Sequence, residues 1–333
     1  MVSTAKGPSN TILSMKKAVV LGATGGMGSA LVERLLHDGV YTVAFARSAE
    51  KLAILQERMK KLGYAGEQLE IVQGDAFQVQ EVTQAATGTD VIYQSINVPY
   101  VEWKEKLIPQ AQTVIEAARA VHARIVVIDN IYAYGRRQQE QVDEQHPKQP
   151  HTRKGSYRLA MEQLYLKAQK EGVQSVIFHL PDFYGPQASN TILHVTFGGI
   201  AANKASRFVG SQKVSREYIY MPDAAQAVVH AAGFEEAYNR QWNIPGAGVI
   251  TGEEIIRIAN EARGTARKVG TISLTMIRIL GLFMPGMREV AEMYYLTQEP
   301  LILSGKAYEQ QFGLIPATPY RVGIRDTIKE LSK

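Results

Sequence analysis

The run Gly22-Ala23-Thr24-Gly25-Gly26-Met27-Gly28 stands between a short apolar segment and a helix-spaced one, and its chemistry is that of a phosphate cradle. A diphosphate concentrates charge that bulky side chains would crowd. Glycines let the main chain come close, and a helix N-terminus offers unpaired N–H groups with a partial positive charge. Read this way, Gly22 makes the tight turn, Gly25 the close approach and Gly28 the contact between helix and strand. Thr24, Gly26 and Met27 complete the lining. The glycines carry weight because the strand before them and the helix after them are both present.

The end of the second strand selects between dinucleotides. An acidic residue there would bond the adenosine ribose hydroxyls, whereas an arginine would meet a 2′-phosphate. The chain reads Phe45-Ala46-Arg47-Ser48, so Arg47 and Ser48 point to NADP(H) ahead of NAD(H). The alternative for Arg47 is a solvated strand-end charge. Asp75, followed by Ala76 after the third strand, is placed to bond an adenine amino group, or is an ordinary turn aspartate. Ser95, Ile96 and Asn97 follow the fourth strand, at the strand ends where open α/β sheets bind ligands.

Such a cradle needs a parallel sheet behind it. Strand-like runs at 16–22, 40–46, 69–72, 90–93, 124–128 and 175–180 alternate with helical ones at 26–37, 48–62, 107–121 and 156–170. Each parallel pairing requires a crossover, so the rhythm predicts an α/β, doubly wound parallel Rossmann sheet over residues 15–185. From about residue 186 the rhythm breaks. A mixed segment at 190–205 is followed by a strand at 217–220, helices at 223–232 and 253–262, and an apolar stretch at 276–284. These predict a smaller C-terminal substrate lobe over 186–333, with 216–250 returning to the Rossmann core. The apolar stretch is too short to span a bilayer and reads as a packed or dimer-forming helix. Residues 1–14 read as a disordered leader.

Composition narrows the function further. With 45% hydrophobic and 21% charged residues the chain is ordinary globular protein, long enough for two lobes around a sizeable core. The net charge of +5 is dispersed over 37 basic and 32 acidic residues, with no basic stripe interleaved with aromatics, which argues against nucleic acid as a partner. The absence of cysteine excludes a disulfide framework, a thiolate nucleophile and thiolate zinc sites, and fits a reducing cytoplasm. The seven histidines show no metal-ligand spacing, and no Gly-x-Ser-x-Gly hydrolase elbow occurs. A cytoplasmic monomer or homodimer with a small-molecule substrate, no metal and no membrane follows.

Several motifs in order resemble a family. Residues 22–28, the Gly74-Asp75-Ala76 turn, Tyr134-Gly135, Pro181-Asp182-Phe183-Tyr184-Gly185-Pro186 and Arg216-Glu-Tyr-Ile-Tyr-Met-Pro-Asp223 look like the extended short-chain dehydrogenase/reductases, which include sugar-nucleotide epimerases and dehydratases. Residues 97–103, 129–135, 152–155 and 285–289 are similar to an atypical subgroup of NAD(P)-binding proteins of the epimerase/dehydratase type. The resemblance implies that Pro181 abuts the nicotinamide, with Asp182 and Phe183 beside it, and that Asn97 lies on the cofactor's path.

It also implies a catalytic set of serine or threonine after the fifth strand and Tyr-x-x-x-Lys on the following helix. Here those positions hold Asn130, Tyr157 and Met161. Without a nearby ammonium, a tyrosine with the reference pKa of ~10 is ionised in only about one part in a thousand at pH 7. Tyr157 is then a poor base for oxidation but an adequate proton donor for reduction. Asn130 can still polarise a carbonyl through its amide N–H. Lys154, one turn before Tyr157, is either a stand-in charge or a helix-entry residue. The leading reading is an NADP(H)-dependent oxidoreductase or epimerase-like enzyme. The alternative is a non-catalytic NAD(P)(H)-binding redox sensor.

Overall fold

The computed structural model describes residues 10–64, 66–189 and 191–333. Seven parallel strands form the central sheet: β1 (Lys17–Leu21), β2 (Tyr41–Ala46), β3 (Leu69–Gln73), β4 (Val91–Gln94), β5 (Arg124–Asn130), β6 (Ser175–Leu180) and β10 (Arg240–Asn243). Their spatial order is β10-β6-β5-β4-β1-β2-β3, so the predicted doubly wound sheet is the observed one. The chain leaves β1 in one direction and returns at β4 to build the other half. The switch between β1 and β4 opens a crevice at the strand C-termini, where open α/β sheets bind ligands.

Alternation along β1 sets the two cores. Ala18 and Val20 face α1 (Gly26–His37) and α7 (Met221–Ala232), while Val19 and Leu21 face α3 (Val79–Ala85), α4 (Trp103–Val121) and α5 (Arg153–Lys170). Strands buried on both faces read as continuous apolar runs, which is why β1, β2, β5 and β6 were legible. Helix α2 (Ala49–Lys61) joins β2 to β3. Helix α3 was not anticipated: it is seven residues long and buries only Val82 and Ala85, too little to give a period.

The C-terminal half adds two small sheets. β7 (Asp182–Tyr184), β9 (Arg216–Tyr220) and β11 (Val249–Ile250) form one, and β8 (Ser206–Val209) and β12 (Val269–Ile272) the other. The segment expected to be mixed holds a helix, α6 (Ile192–Ala201), which packs with α8 (Gly252–Arg263) and α12 (Tyr320–Leu331) around a third core centred on Phe197, Phe208 and Ile255. Its residues are apolar almost throughout, so no polar face marked it as helical.

Two expectations need correction. The apolar stretch 276–284 is not a packed helix within this chain. It is the end of α9 (Leu274–Leu280) and the turn into α10 (Pro285–Met293), with Ile277 buried but Ile279, Leu282, Phe283 and Met284 exposed. Of the expected leader, residues 1–9 lie outside the described residues. Residues 10–14 lie against the body, because Thr11 N donates to the Glu236 carboxylate, Leu13 N donates to Gly233 O at 2.8 Å, and Ile12 bridges Phe234. Before the C-terminal helix, α11 (Lys306–Phe312) covers the β10 edge through Phe312 on Trp242. No helix of the described residues is long and apolar enough to cross a membrane.

Candidate functional site

The glycine run occupies the β1–α1 turn at the topological switch. Gly22 takes φ +80°, a backbone that L side chains rarely adopt, and Gly25 N donates to Gly22 O at 2.9 Å to close the turn. A Cβ on Gly28 would lie 2.1 Å from Gly22 O, so only glycine lets α1 rest against the strand end there. Gly25 differs. A Cβ on it would meet only Gly22 O, at 3.3 Å, and its outer side is open.

Helix α1 has no side-chain cap and no acidic residue in its first turn. Its first intrahelical donor is Ser29 N, to Gly25 O, so the N–H groups of Gly26, Met27 and Gly28 have no partner among the described residues. An anion fits these donors and the open face of Gly25. Thr24 is half-buried in the same turn, and Ser95 holds the base of the cradle by donating through Oγ to Leu21 O at 2.8 Å.

The adenosine-side residues follow β2 and β3. Arg47 is exposed and makes no side-chain bond among the described residues, leaving its guanidinium available. Ser48 Oγ caps α2 by accepting from Lys51 N at 3.2 Å, and its own O–H remains to donate. Asp75 Oδ1 accepts from Phe77 N at 3.1 Å, and Asp75 N donates to Glu81 at 2.7 Å. Its turn role is therefore in place, with Oδ2 spare. Ala76 is buried beneath it.

On the other side of the switch the site is built from side chains. Asn130, at the end of β5, accepts through Oδ1 from Tyr132 N at 2.9 Å, which leaves its amide N–H2 for a ligand. Tyr157, in the first turns of α5, is half-buried against the α4–α5 core. Thr152 caps that helix by accepting from Gly155 N, and Gly155 allows it to approach Tyr132 O, where a Cβ would sit at 2.6 Å. Met161 is buried where the family's lysine would stand. Pro181 is buried at the end of β6, with Asp182 and Phe183 half-buried beside it. Burial pushes the Asp182 carboxyl up, and the nearby Arg216 guanidinium opposes that.

Lys154 does not replace the missing charge. It is 1% exposed, its ammonium bonds Glu289 and lies 3.7 Å from Glu292, both on α10, and it sits over the Tyr100 ring. Glu292 also accepts from the main-chain N–H groups of Arg153 and Lys154. This is a helix-entry anchor joining α10 to α5. Tyr132 and Tyr134 are buried on the same side. Tyr134 is fully buried and donates to Asn243 Oδ1 at 2.7 Å, and Tyr132 OH shares a 2.6 Å hydrogen bond with Tyr100 OH. Burial raises the Tyr100 phenol to about 12.

Sequence spacing missed a buried ionic group behind Asn130. Asp129 and His179 are register partners on β5 and β6, and Glu162 on α5 reaches the same point, with one ligand atom of each within 4.8 Å of the others. The two carboxylates are answered by two cations. Lys148 bonds Glu162 and lies 3.1 Å from His179 Nε2, while Arg158 Nη1 pairs with Asp129 Oδ1 at 3.1 Å. A divalent ion would have to displace that ammonium, so the group reads as charge balance rather than a metal centre. Burial raises the Asp129 carboxyl, whereas for Glu162 the attraction of His179 and Lys148 outweighs burial and lowers it. The signal that could have found it is the stripe 154, 158, 161, 162, 165 on α5, whose helical spacing carries charged residues.

A cleft of about 500 Å³ opens between the start of α5 and the α9–α10 pair, lined by Arg136, His151, Arg153, Arg278, Glu292 and Tyr295 among others.

With this geometry in hand, the chain can be set beside known proteins. The pattern of the NAD dependent epimerase/dehydratase family matches residues 18–244. Among solved structures, UDP-glucuronic acid 4-epimerase from Bacillus cereus in complex with NAD superposes with a TM-score of 0.76 at 18% identity, covering 95% of this chain and 100% of that one. A dTDP-glucose 4,6-dehydratase from Bacillus anthracis in complex with NAD gives 0.76 at 13% identity, covering 94% and 96%. UDP-glucose 4-epimerase with UDP-glucose from Thermotoga maritima gives 0.75 at 14%, covering 94% and 98%. At these identities the likeness to solved structures is one of fold.

Proposed function

The chain belongs to the NAD dependent epimerase/dehydratase family, a family of NAD-dependent enzymes, and within it we propose an NADP(H)-dependent oxidoreductase or epimerase-like enzyme acting on a small carbonyl or hydroxyl compound. The observation that carries the reading is the start of α1, where three main-chain donors without partners among the described residues and an open glycine face would suit a diphosphate. The bound dinucleotide would supply hydride exchange. Arg47 and the Ser48 hydroxyl, with no acid at the end of β2, support the 2′-phosphorylated form. Asp75 and Ala76 would hold the adenine side, Ser95 and Asn97 the middle of the path, and Pro181 and Phe183 the nicotinamide end.

The residues around the reacting carbon favour reduction. Asn130 presents its amide N–H2, its carbonyl oxygen being fixed by Tyr132 N. It would steady negative charge growing on a substrate oxygen. Tyr157 would deliver the proton. No ammonium stands at Met161 to favour its ionised form, and that form is required only for oxidation. The substrate would enter between the sheet ends and the C-terminal lobe. The cysteine-free composition supports a cytoplasmic setting, as a monomer or homodimer.

Turnover of NADPH across a panel of small ketones and aldehydes tests this. Tyr157→Phe is expected to cut turnover at least ~tenfold, and unchanged turnover removes Tyr157 from the mechanism. One observation favours a second reading, a non-catalytic redox sensor: the lysine's place is filled by a buried methionine. A strong preference for NADPH or NADP⁺ in calorimetric titration, with no turnover on the panel, would establish it.

A further inference from the structure

Arg158 is 4% exposed beside the sheet ends; its Nε meets no acceptor among the described residues, while both terminal nitrogens and the face of the guanidinium have neighbours. Nη1 forms an ion pair with Asp129 Oδ1 at 3.1 Å, Nη2 donates to Asn97 Oδ1 at 3.1 Å, and Cζ lies 4.2 Å from the centre of the Trp103 ring. Trp103 is itself fixed by its indole N–H on Val98 O at 2.8 Å. The same Asp129 oxygen accepts the main-chain N–H of Asn130 at 2.7 Å. One buried fork therefore ties together the segments following β4 and β5.

A guanidinium can only donate, so the atom of Asn97 facing it must be the carbonyl oxygen, and the amide nitrogen is turned away. That nitrogen meets no acceptor among the described residues, on a residue that is exposed. The strand order identifies what lies there. Arg47 and Asp75 follow β2 and β3, the cradle follows β1, and β4 and β5 come next. An extended dinucleotide whose diphosphate rests on α1 continues over those ends, within about 10 Å at ~4.8 Å per strand.

We propose that Arg158 is a positioning residue that sets the Asn97 amide as a hydrogen-bond donor to an acceptor oxygen in the nicotinamide half of the cofactor, while holding Asn130 in place through Asp129. This rests on the dinucleotide reading above. It gives the chain a buried cation near Met161, whose sulfur lies 3.9 Å from Nη1, acting through geometry. Lysine, a point donor, cannot bridge Asp129 and Asn97 as the planar fork does.

Calorimetric titration with two probes tests it: NADP⁺, and 2′-phospho-ADP-ribose, which shares the adenosine and diphosphate but lacks nicotinamide. Asn97→Ala and Arg158→Met are each expected to weaken NADP⁺ by about three- to tenfold and leave the nicotinamide-free probe unchanged, with the double variant no worse than either alone. Arg158→Lys is expected to match Arg158→Met. Equal losses for both probes, no loss in Asn97→Ala, or full NADP⁺ affinity in Arg158→Lys would overturn the assignment. Asn97 is exposed, so its variant decides the matter even if removing Arg158 unfolds the chain by stranding Asp129. A wild-type protein that binds neither probe and no NAD⁺ would instead overturn the dinucleotide reading itself.

Discussion

At the β3-β2-β1 half of the sheet the candidate site is made of main chain, whereas at the β4-β5-β6-β10 half it is made of buried charge. On the first side, a left-handed glycine, a glycine without room for a Cβ and three N–H groups without partners among the described residues form the cradle, and the polar side chains around it are half-buried or exposed with no ion pair among the described residues. On the second, Asp129, Glu162, His179, Lys148 and Arg158 lie within or just under the surface, each held by another. Main-chain recognition suits a ligand common to many proteins. Side-chain recognition backed by balanced charge can be altered residue by residue, and it is there that Asn130 and Met161 depart from the family's pattern.

The sharpest way to break this contrast is to strip one charge from the buried group. Glu162→Ala leaves Lys148 and His179 without their carboxylate and is expected to cost about 3–5 kcal/mol of stability in urea unfolding. Replacing Glu162 and Lys148 together by methionine should restore most of it. A loss below ~1 kcal/mol in the single variant would mean that the charges there are solvated, and the contrast would fail.

A second buried carboxyl extends the charged side into the small sheet. Glu217 on β9 accepts from Leu303 N at 3.0 Å and Gly246 N at 3.3 Å, and burial pushes its carboxyl up from 4.5 to about 7. A raised folded-state value means that the native protein holds this proton more tightly than the unfolded chain. The contribution is therefore complete below pH 4.5 and is lost as pH rises to about 7. The difference in stability between wild type and Glu217→Gln should fall by about 3 kcal/mol across that window. Parallel stability curves would contradict it.

The smallest effect sharpens the other side. If Arg47 meets a 2′-phosphate, Arg47→Ala should weaken NADP⁺ by about tenfold, or ~1.4 kcal/mol, with NAD⁺ unchanged in the same titration. An equal change for both dinucleotides would make Arg47 a solvated strand-end charge.

The same division explains what could be read in advance. The strands of the main sheet and the glycine turn are local: apolar runs of fixed length, and glycines at a strand–helix junction. Asn130, Tyr157 and Met161 were found through motif order, which is also sequential. The ionic group was not, because Asp129 and His179 meet only through the register of β5 on β6, and Lys148 arrives from a loop. Arg158 and Glu162 share the buried stripe of α5 with Met161 and Tyr165, and charged residues at core positions blur the period that marks a helix face. Helix α6 was hidden for the opposite reason, being apolar on nearly every side.

Titration of NADP⁺, and of NAD⁺ where NADP⁺ does not bind, into wild type and Gly25→Val tests the central assignment most directly. The backbone of Gly25 sits at φ −77° and an added Cβ meets only Gly22 O, so the variant should keep its thermal stability. The prediction is saturable binding by the wild type and at least ~tenfold weaker binding by the variant. Equal affinity in the two proteins, or none in the wild type, would contradict a diphosphate site at the start of α1.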